Sequence, residues 1–201
     1  MKQRERFTMV ALGMFALCLF AFPMMVLAAE LHVGGGQTYS TISGAVAAAD
    51  SGDVIIVHDG TYTENVDVTK SLTIKSVNGY ATTTVHGSVT SDHVFEITAN
   101  NVTIGGEGCG FSIYGATDYP YAGIYLSGRT GCIIQGNRCG WDGSHRNYYG
   151  IYMASSCNNT LTGNTCNSNS GYGIYLESSS NNTLTGNTCG ENIEGIFLYS
   201  S

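Results

Sequence analysis

The sequence predicts an all-β fold, a single-stranded parallel β-helix (solenoid) with a short capping helix at its N-terminal end. Three observations carry this. The nine residues NNTLTGNTC occur at Asn158 to Cys166 and again, letter for letter, at Asn181 to Cys189. A Gly-Ile-aromatic landmark recurs at Gly123, Gly150, Gly173 and Gly195, at intervals of 27, 23 and 22 residues, while Cys139, Cys166 and Cys189 follow one another at 27 and 23, with Ile113 in the same place 26 residues earlier. Within each landmark the pattern alternates, Ile174 and Leu176 one way and Tyr175 the other, which is the two-residue period of a strand. A repeat of this length built from short strands winds one turn of a coil. Identical positions then stack about 4.8 Å apart, so each recurs because its neighbour above has the same environment.

Taken in order, the chain opens with Lys2, Arg4 and Arg6, then an apolar run from Phe7 to Leu27 ending in Val26-Leu27-Ala28-Ala29. That order of charge, apolar run and small residues predicts a secretory signal peptide over residues 1–28, cleaved after Ala28 or Ala29. An uncleaved anchor is the alternative, since the run is near the ~20 residues that span a bilayer; Pro23 and the small residues favour cleavage, leaving no membrane span. Cleavage shifts the formal charge from −7 to −9. An acidic chain without clustered Lys/Arg excludes nucleic acid as a partner.

Residues 29–201 form the predicted β-helix domain. In YSTISGAVAAADSGD, Ser40 or Thr41 can cap a short helix carrying Ile42, Val46 and Ala49 on one face, closing the coil as solenoid ends require. DVIIVHDGTYTENVDV and SLTIKSV supply the first strands, and VFEIT and NVTIGG continue them. Asn158, Asn159, Asn181 and Asn182 are expected to form amide ladders at the turns. Three Asn-x-Ser/Thr sequons, at Asn101, Asn158 and Asn181, also fit surface glycosylation.

The run AVAAADSGDVIIVHDGTYTENVDVTKSLTIKS, followed by the GIYL and NNTLTGN repeats, resembles the right-handed parallel β-helix repeat family, namely NosD-like proteins and the repetitive cell-surface proteins of archaea. The resemblance covers roughly Gln37 to Ser201 and implies a right-handed coil of the pectin-lyase-like fold, an architecture that also carries pectate-lyase-like enzymes and phage tailspikes. The chain stops at GIFLYSS, where earlier repeats continue into SNNTLTGN. A coil ending there exposes apolar stacking surface and strand edges, so the domain is expected to be truncated at its C-terminal end or covered by another chain, with oligomerisation through the exposed rung.

Function is sought where the repeat is broken. The connection into the Gly-Ile strand is long in two neighbouring rungs, 114–122 and 140–149, and short in the next two, 167–172 and 190–194. Insertions in repeat proteins map to one face, often the binding face. The long pair gathers Tyr119, Tyr121, Trp141, Asp142, His145, Arg146, Tyr148 and Tyr149, a set of ring faces and polar groups suited to a sugar; packing of the loops onto the coil is the competing account. The outward row Tyr125, Tyr152, Tyr175 and Phe197 is a second candidate, competing with simple stacking between rungs.

Six cysteines follow residue 28. Cys139, Cys166 and Cys189 take the place of Ile113 and are read as small buried hydrophobes, and Cys132 with Cys157 is the more plausible disulfide. The resemblance to NosD raises a copper-site maturation role, yet the histidines at 32, 58, 86, 93 and 145 are scattered and no metal site is expected. Lyase chemistry would need acidic residues for Ca²⁺ and a base, for which Asp118, Asp142, His145 and Arg146 are the candidates, with Arg129 and Arg138 as further bases. The same carboxylates could serve a glycoside hydrolase. This sparse constellation favours a secreted, cell-surface protein that binds polysaccharide or cell-envelope glycan without a cofactor, over a polysaccharide lyase or hydrolase. A ligand-free structural spacer accounts for everything outside the loops.

Overall fold

A computed structural model of the protein describes residues 27–140 and 143–201. In chain order the elements are β1 (Glu30–Val33), α1 (Ile42–Ala48), β2 (Val54–Val57), β3 (Gly60–Thr63), β4 (Val66–Val68), β5 (Thr73–Ser76), β6 (Thr83–His86), β7 (Phe95–Ile97), β8 (Thr103–Gly105), β9 (Ser112–Tyr114), β10 (Ala122–Ser127), β11 (Ile133–Gln135), β12 (Arg138–Cys139), β13 (Tyr149–Ala154), β14 (Thr160–Thr162), β15 (Tyr172–Glu177), β16 (Thr183–Thr185) and β17 (Glu194–Tyr199). From β2 onward each turn places strands in three sheets in succession. The first sheet orders β1-β2-β5-β8-β11-β14-β16, the second β3-β6-β9-β12 and the third β4-β7-β10-β13-β15-β17. Above β12 the second face continues only as single bridges, Arg138 to Thr165 and Thr165 to Thr188.

Pairing is parallel and keeps like on like. Ile55, Ile74, Ile104, Ile134, Leu161 and Leu184 form one inward column on the first sheet. Ile124, Ile151, Ile174 and Ile196 form another on the third. Side chains on these columns down to Leu161 and Ile174 are buried, each contributing about 1.5–3 kcal/mol. In the last turn Ile196 and Leu198 are 45% and 57% exposed. Among the described residues no helix is long and apolar enough to cross a membrane.

The helix is capped from the turn above it. Thr41 is the N-cap, accepting from the Gly44 N–H at 3.1 Å, and both carboxylate oxygens of Glu64 accept from the N–H groups of Ile42 and Ser43 at 2.8 Å. Lys70 donates to the carbonyls of Val46, Ala47 and Ala49 at the other end. Anion at the N-terminus and cation at the C-terminus complement the helix dipole. One strand was not expected, because β1 precedes this helix and pairs with β2; ELHV carries no landmark of the repeat.

Side-chain ladders hold the three corners. Between the first and second sheets, the Asn137 N–H donates to Asn164 Oδ1 at 3.1 Å and the Asn164 N–H to Asn187 Oδ1 at 3.0 Å. Between the second and third, the Asn169 N–H donates to Asn192 Oδ1 at 2.8 Å. Between the third and first, Asn159 and Asn182 repeat the pattern at 2.8 Å beside the serines Ser156 and Ser179. Asn158 and Asn181 correct the expected ladder: they sit at φ 57° and 59° on the exposed side and supply the left-handed backbone of the turn, leaving the amide bonding to the residue that follows each. The Asn column also explains the landmark glycine, since a Cβ at Gly123 would lie 2.8 Å from Asn147 Nδ2 and 3.0 Å from the Gly150 carbonyl oxygen.

Candidate functional site

The third sheet carries the candidate site on its outer face. Register places Asp67, Glu96, Tyr125, Tyr152, Tyr175 and Phe197 in one column, alternating with inward apolar side chains. Tyr125 and Tyr152 lie 5.0 Å apart between ring centroids, Tyr152 and Tyr175 4.9 Å apart and nearly parallel at 12°, and Tyr175 and Phe197 5.6 Å apart. Offset stacking of this kind is the favoured aromatic geometry.

The long loops add to the same column. Tyr149 packs on Tyr152 at 5.4 Å, on Tyr172 at 5.4 Å and on Tyr175 at 5.3 Å. Tyr148 stands edge-on to Tyr149 at 4.7 Å, and Tyr119, 70% exposed, stands edge-on to Tyr148 at 5.2 Å. Tyr121 meets His93 edge-on, and His93 stacks on Tyr125 at 4.1 Å. The two candidates read from the sequence, loop aromatics and outward row, are therefore one strip. Tyr149, expected to contact ligand, is 5% exposed and serves as the base on which the other rings rest.

Burial and neighbours set the charge states along the strip. Burial pushes the Tyr149 hydroxyl up. The Tyr152 hydroxyl is raised by burial and by donating to Glu177. Burial pushes His93 down to about 4, consistent with its Nδ1 accepting from the Ala122 N–H at 3.0 Å. Glu96 is raised by burial and by the like charges of Asp67 and Asp92.

The remaining predicted residues go elsewhere. Asp118 is exposed and accepts from the hydroxyls of Thr90 at 3.2 Å and Thr117 at 3.3 Å. His145 turns to the second sheet, its ring 4.7 Å from His86 and stacked on Tyr114 at 5.9 Å and 8°. Arg146 is exposed, and its carbonyl accepts from the Gly115 N–H. Trp141 and Asp142 lie outside the described residues. Asp118 thus lies against two hydroxyls and His145 packs on the neighbouring face. Sequence reading missed His93 and Glu177, which reach the strip by stacking on Tyr125 and by bonding to the Tyr152 hydroxyl, and Tyr172, which the position before Gly173, matching Tyr149 before Gly150, could have disclosed.

The six cysteines among the described residues are free thiols, so the disulfide expected between Cys132 and Cys157 is not formed; Cys132 lies toward the carbonyls of Ala99 and Thr130, and Cys157 Sγ accepts from the Ser180 N–H. Cys139 stacks on Ile113, and Cys166 is hydrogen-bonded to Cys139 and Cys189. The bond to Cys139 and burial push the Cys166 thiol up, and the bond to Cys166 and burial push Cys189 up, whereas a metal needs thiolates. His32 and His58 point ring nitrogens at each other, 3.0 Å apart, instead of at a shared external point. Among the described residues no group of three or more His, Cys, Asp or Glu could hold a metal ion, so they do not fit a copper site.

Fold and strip together define a parallel β-helix with an aromatic outer face. A family model described as periplasmic copper-binding protein (NosD) matches residues 47–201, and the chain belongs to that family. A cell surface glycoprotein of Methanothermus fervidus is 38% identical over 133 residues, covering 61% of this chain and 20% of that protein; the chain thus spans about a fifth of that relative's length. Among solved structures, pectin methylesterase PemA from Erwinia chrysanthemi superposes with a TM-score of 0.52 at 14% identity, over 82% of this chain and 66% of that one. A pectin methylesterase in complex with a hexasaccharide gives 0.51 at 13%, over 77% and 65%. At such identity the likeness is one of fold.

Proposed function

We propose that the protein is an exported, cell-surface β-helix that binds a polysaccharide or cell-envelope glycan along the aromatic strip of its third sheet, without catalysing its cleavage. The observation that carries this reading is the continuity of the strip from Tyr119 and Tyr148, through Tyr152 and Tyr175, to Phe197. A sugar stacks its C–H face on a ring and bonds its hydroxyls to flanking polar groups, and rings repeating at strand spacing suit a ligand that is itself a repeat. The surface assignment is supported by the predicted signal peptide over residues 1–28, by the relative named a cell surface glycoprotein and by the periplasmic description of the family. The reading requires no metal and no cofactor.

Calorimetric titration of the purified protein with a panel of polysaccharides tests it. Saturable binding is expected, with Tyr152→Ala and Tyr175→Ala each weakening it about tenfold, equivalent to about 1.4 kcal/mol, while circular dichroism keeps the signature of the parent. Binding unmoved by either change would place the ligand elsewhere. Absence of binding across the panel would leave the strip as inter-rung packing and the protein as a structural spacer, a role its stacked rings also serve.

A further inference from the structure

The charge around the strip is predominantly negative. Asp67 and Glu96 continue its column directly below Tyr125, one strand spacing of about 4.8 Å per step, and Asp92 lies close enough to Glu96 to act on its ionisation. Glu177 accepts from the Tyr152 hydroxyl, and Glu194 pairs in register with Tyr172.

Cations are fewer, and four of the five are elsewhere or engaged. Five Lys and Arg follow residue 28: Lys70, Lys75, Arg129, Arg138 and Arg146. Lys70 holds the carbonyls at the end of α1. Lys75 is on the first sheet in β5, and Arg138 on the second in β12. Arg129 stands at the strip's margin with its guanidinium donating to the Ser127 and Thr98 carbonyls, whereas Arg146 is exposed on the loop that carries Tyr148, one cation against five carboxylates.

We propose that the strip selects glycans bearing protonated amines, polymers of de-N-acetylated amino sugars, and rejects polyuronates; this rests on the glycan-binding reading above. Two independent effects point the same way. The faces of tyrosine rings attract an ammonium group through their quadrupole and repel a carboxylate. The five carboxylates set a negative potential along a partly dehydrated face, where like charges act more strongly than in water. Burial and the charges of Asp67 and Asp92 already disfavour ionised Glu96, and an ammonium beside it relieves that cost, whereas a uronate adds to it. The likeness to pectin-active enzymes, being one of fold alone, gives no reason to expect an acidic sugar here.

Three oligosaccharides of equal length separate the possibilities: a glucosamine oligomer, its N-acetylated counterpart and an oligogalacturonate, titrated into the purified protein at mildly acidic pH and low salt. The amine-bearing oligomer is expected to bind at least tenfold more tightly than the acetylated one, with the galacturonate weakest. Added salt should compress that order, and Glu96→Gln or Asp67→Asn should lower the ratio of the first two affinities. Equal affinity for the amine and the acetamide, or galacturonate binding as tightly as either, would overturn charge selection while leaving the strip a glycan site. No binding of any of the three at the strip, with a neutral polysaccharide also failing to bind, would overturn the glycan reading and this inference together.

Discussion

Asn158 and Asn159 are adjacent and identical in type, yet they act differently. Asn158 is exposed at φ 57°, a backbone position that asparagine tolerates, whereas Asn159 is 2% exposed, donating to the Arg129 carbonyl and accepting from the Cys132 N–H. The doubled NN was legible as a turn; which amide forms the ladder depends on side-chain direction, which the pattern does not encode. The same ladder predicts a large cost at Asn164, fully buried, whose loss strands the Asn137 N–H and the Ile134 carbonyl. Asn164→Ala is expected to destabilise by about 3 kcal/mol in urea titration and Asn158→Gly by only a few tenths; equal effects would deny the ladder its role. His93 predicts a pH dependence. Its folded value, about 4, lies below the ordinary 6.5, so the unfolded chain takes up a proton that the native protein refuses. Stability is complete above pH 6.5 and falls as pH drops toward 4, by about 3 kcal/mol at most. His93→Gln keeps an acceptor for the Ala122 N–H and cannot titrate, so the parent-minus-variant difference in urea midpoint should fall as pH drops from 6.5 toward 4; a constant difference would rule it out.

At the scale of elements, the third sheet was the most legible. Alternation in Gly-Ile-aromatic-Leu gave inward and outward residues correctly, since Ile124 and Leu126 are buried and Tyr125 is only partly covered. The union of loop and row was not legible, because Tyr149 reaches Tyr152 and Tyr175 by register and packing, and loops of unequal length hide which residues become neighbours. The landmark glycine has a steric origin and a testable one: a Cβ at Gly150 would sit 2.9 Å from Cys166 Cβ and 3.0 Å from Asn169 Nδ2, and collide with the Gly173 carbonyl. Gly150→Ala is therefore expected to cost about 1–3 kcal/mol, as overpacked sites do, and thermal melts that match the parent would show that the coil yields at that point. The thiol column is the inward side of the second face. Cys139 and Cys166 are fully buried while Cys109 and Cys157 are partly exposed. Maleimide labelling followed by peptide mass spectrometry should modify the latter pair first and leave the former untouched until unfolding; early labelling of Cys166 would mean that the column opens to solvent.

At the scale of the whole molecule, the coil was legible because a solenoid repeats one environment, and repetition is what a sequence displays without help from long-range contacts. Its ends were less so. The N-terminal end combines β1, whose ELHV bears no landmark, with a helix held by Glu64 and Lys70 from the next turn, partners that no local signal picks out. These ends set how the molecule opens. In a solenoid each turn contacts only its neighbours, and stability is a sum of turns and interfaces. The first turns are closed by α1, the middle turns have a neighbour on both sides, and β16 and β17 are edge strands of the first and third sheets, with Ile196 and Leu198 exposed beside them. Native-state hydrogen exchange is therefore expected to be slowest at the amides of β8, β11 and β13, to remain slow through β2, and to quicken stepwise through β15 to β17. Glu64→Gln should speed exchange in α1 and β1 and leave β13 unchanged. Uniform protection from β1 to β17 would instead mean that the coil opens as one cooperative unit, and the turn-by-turn account of its stability would have to be given up.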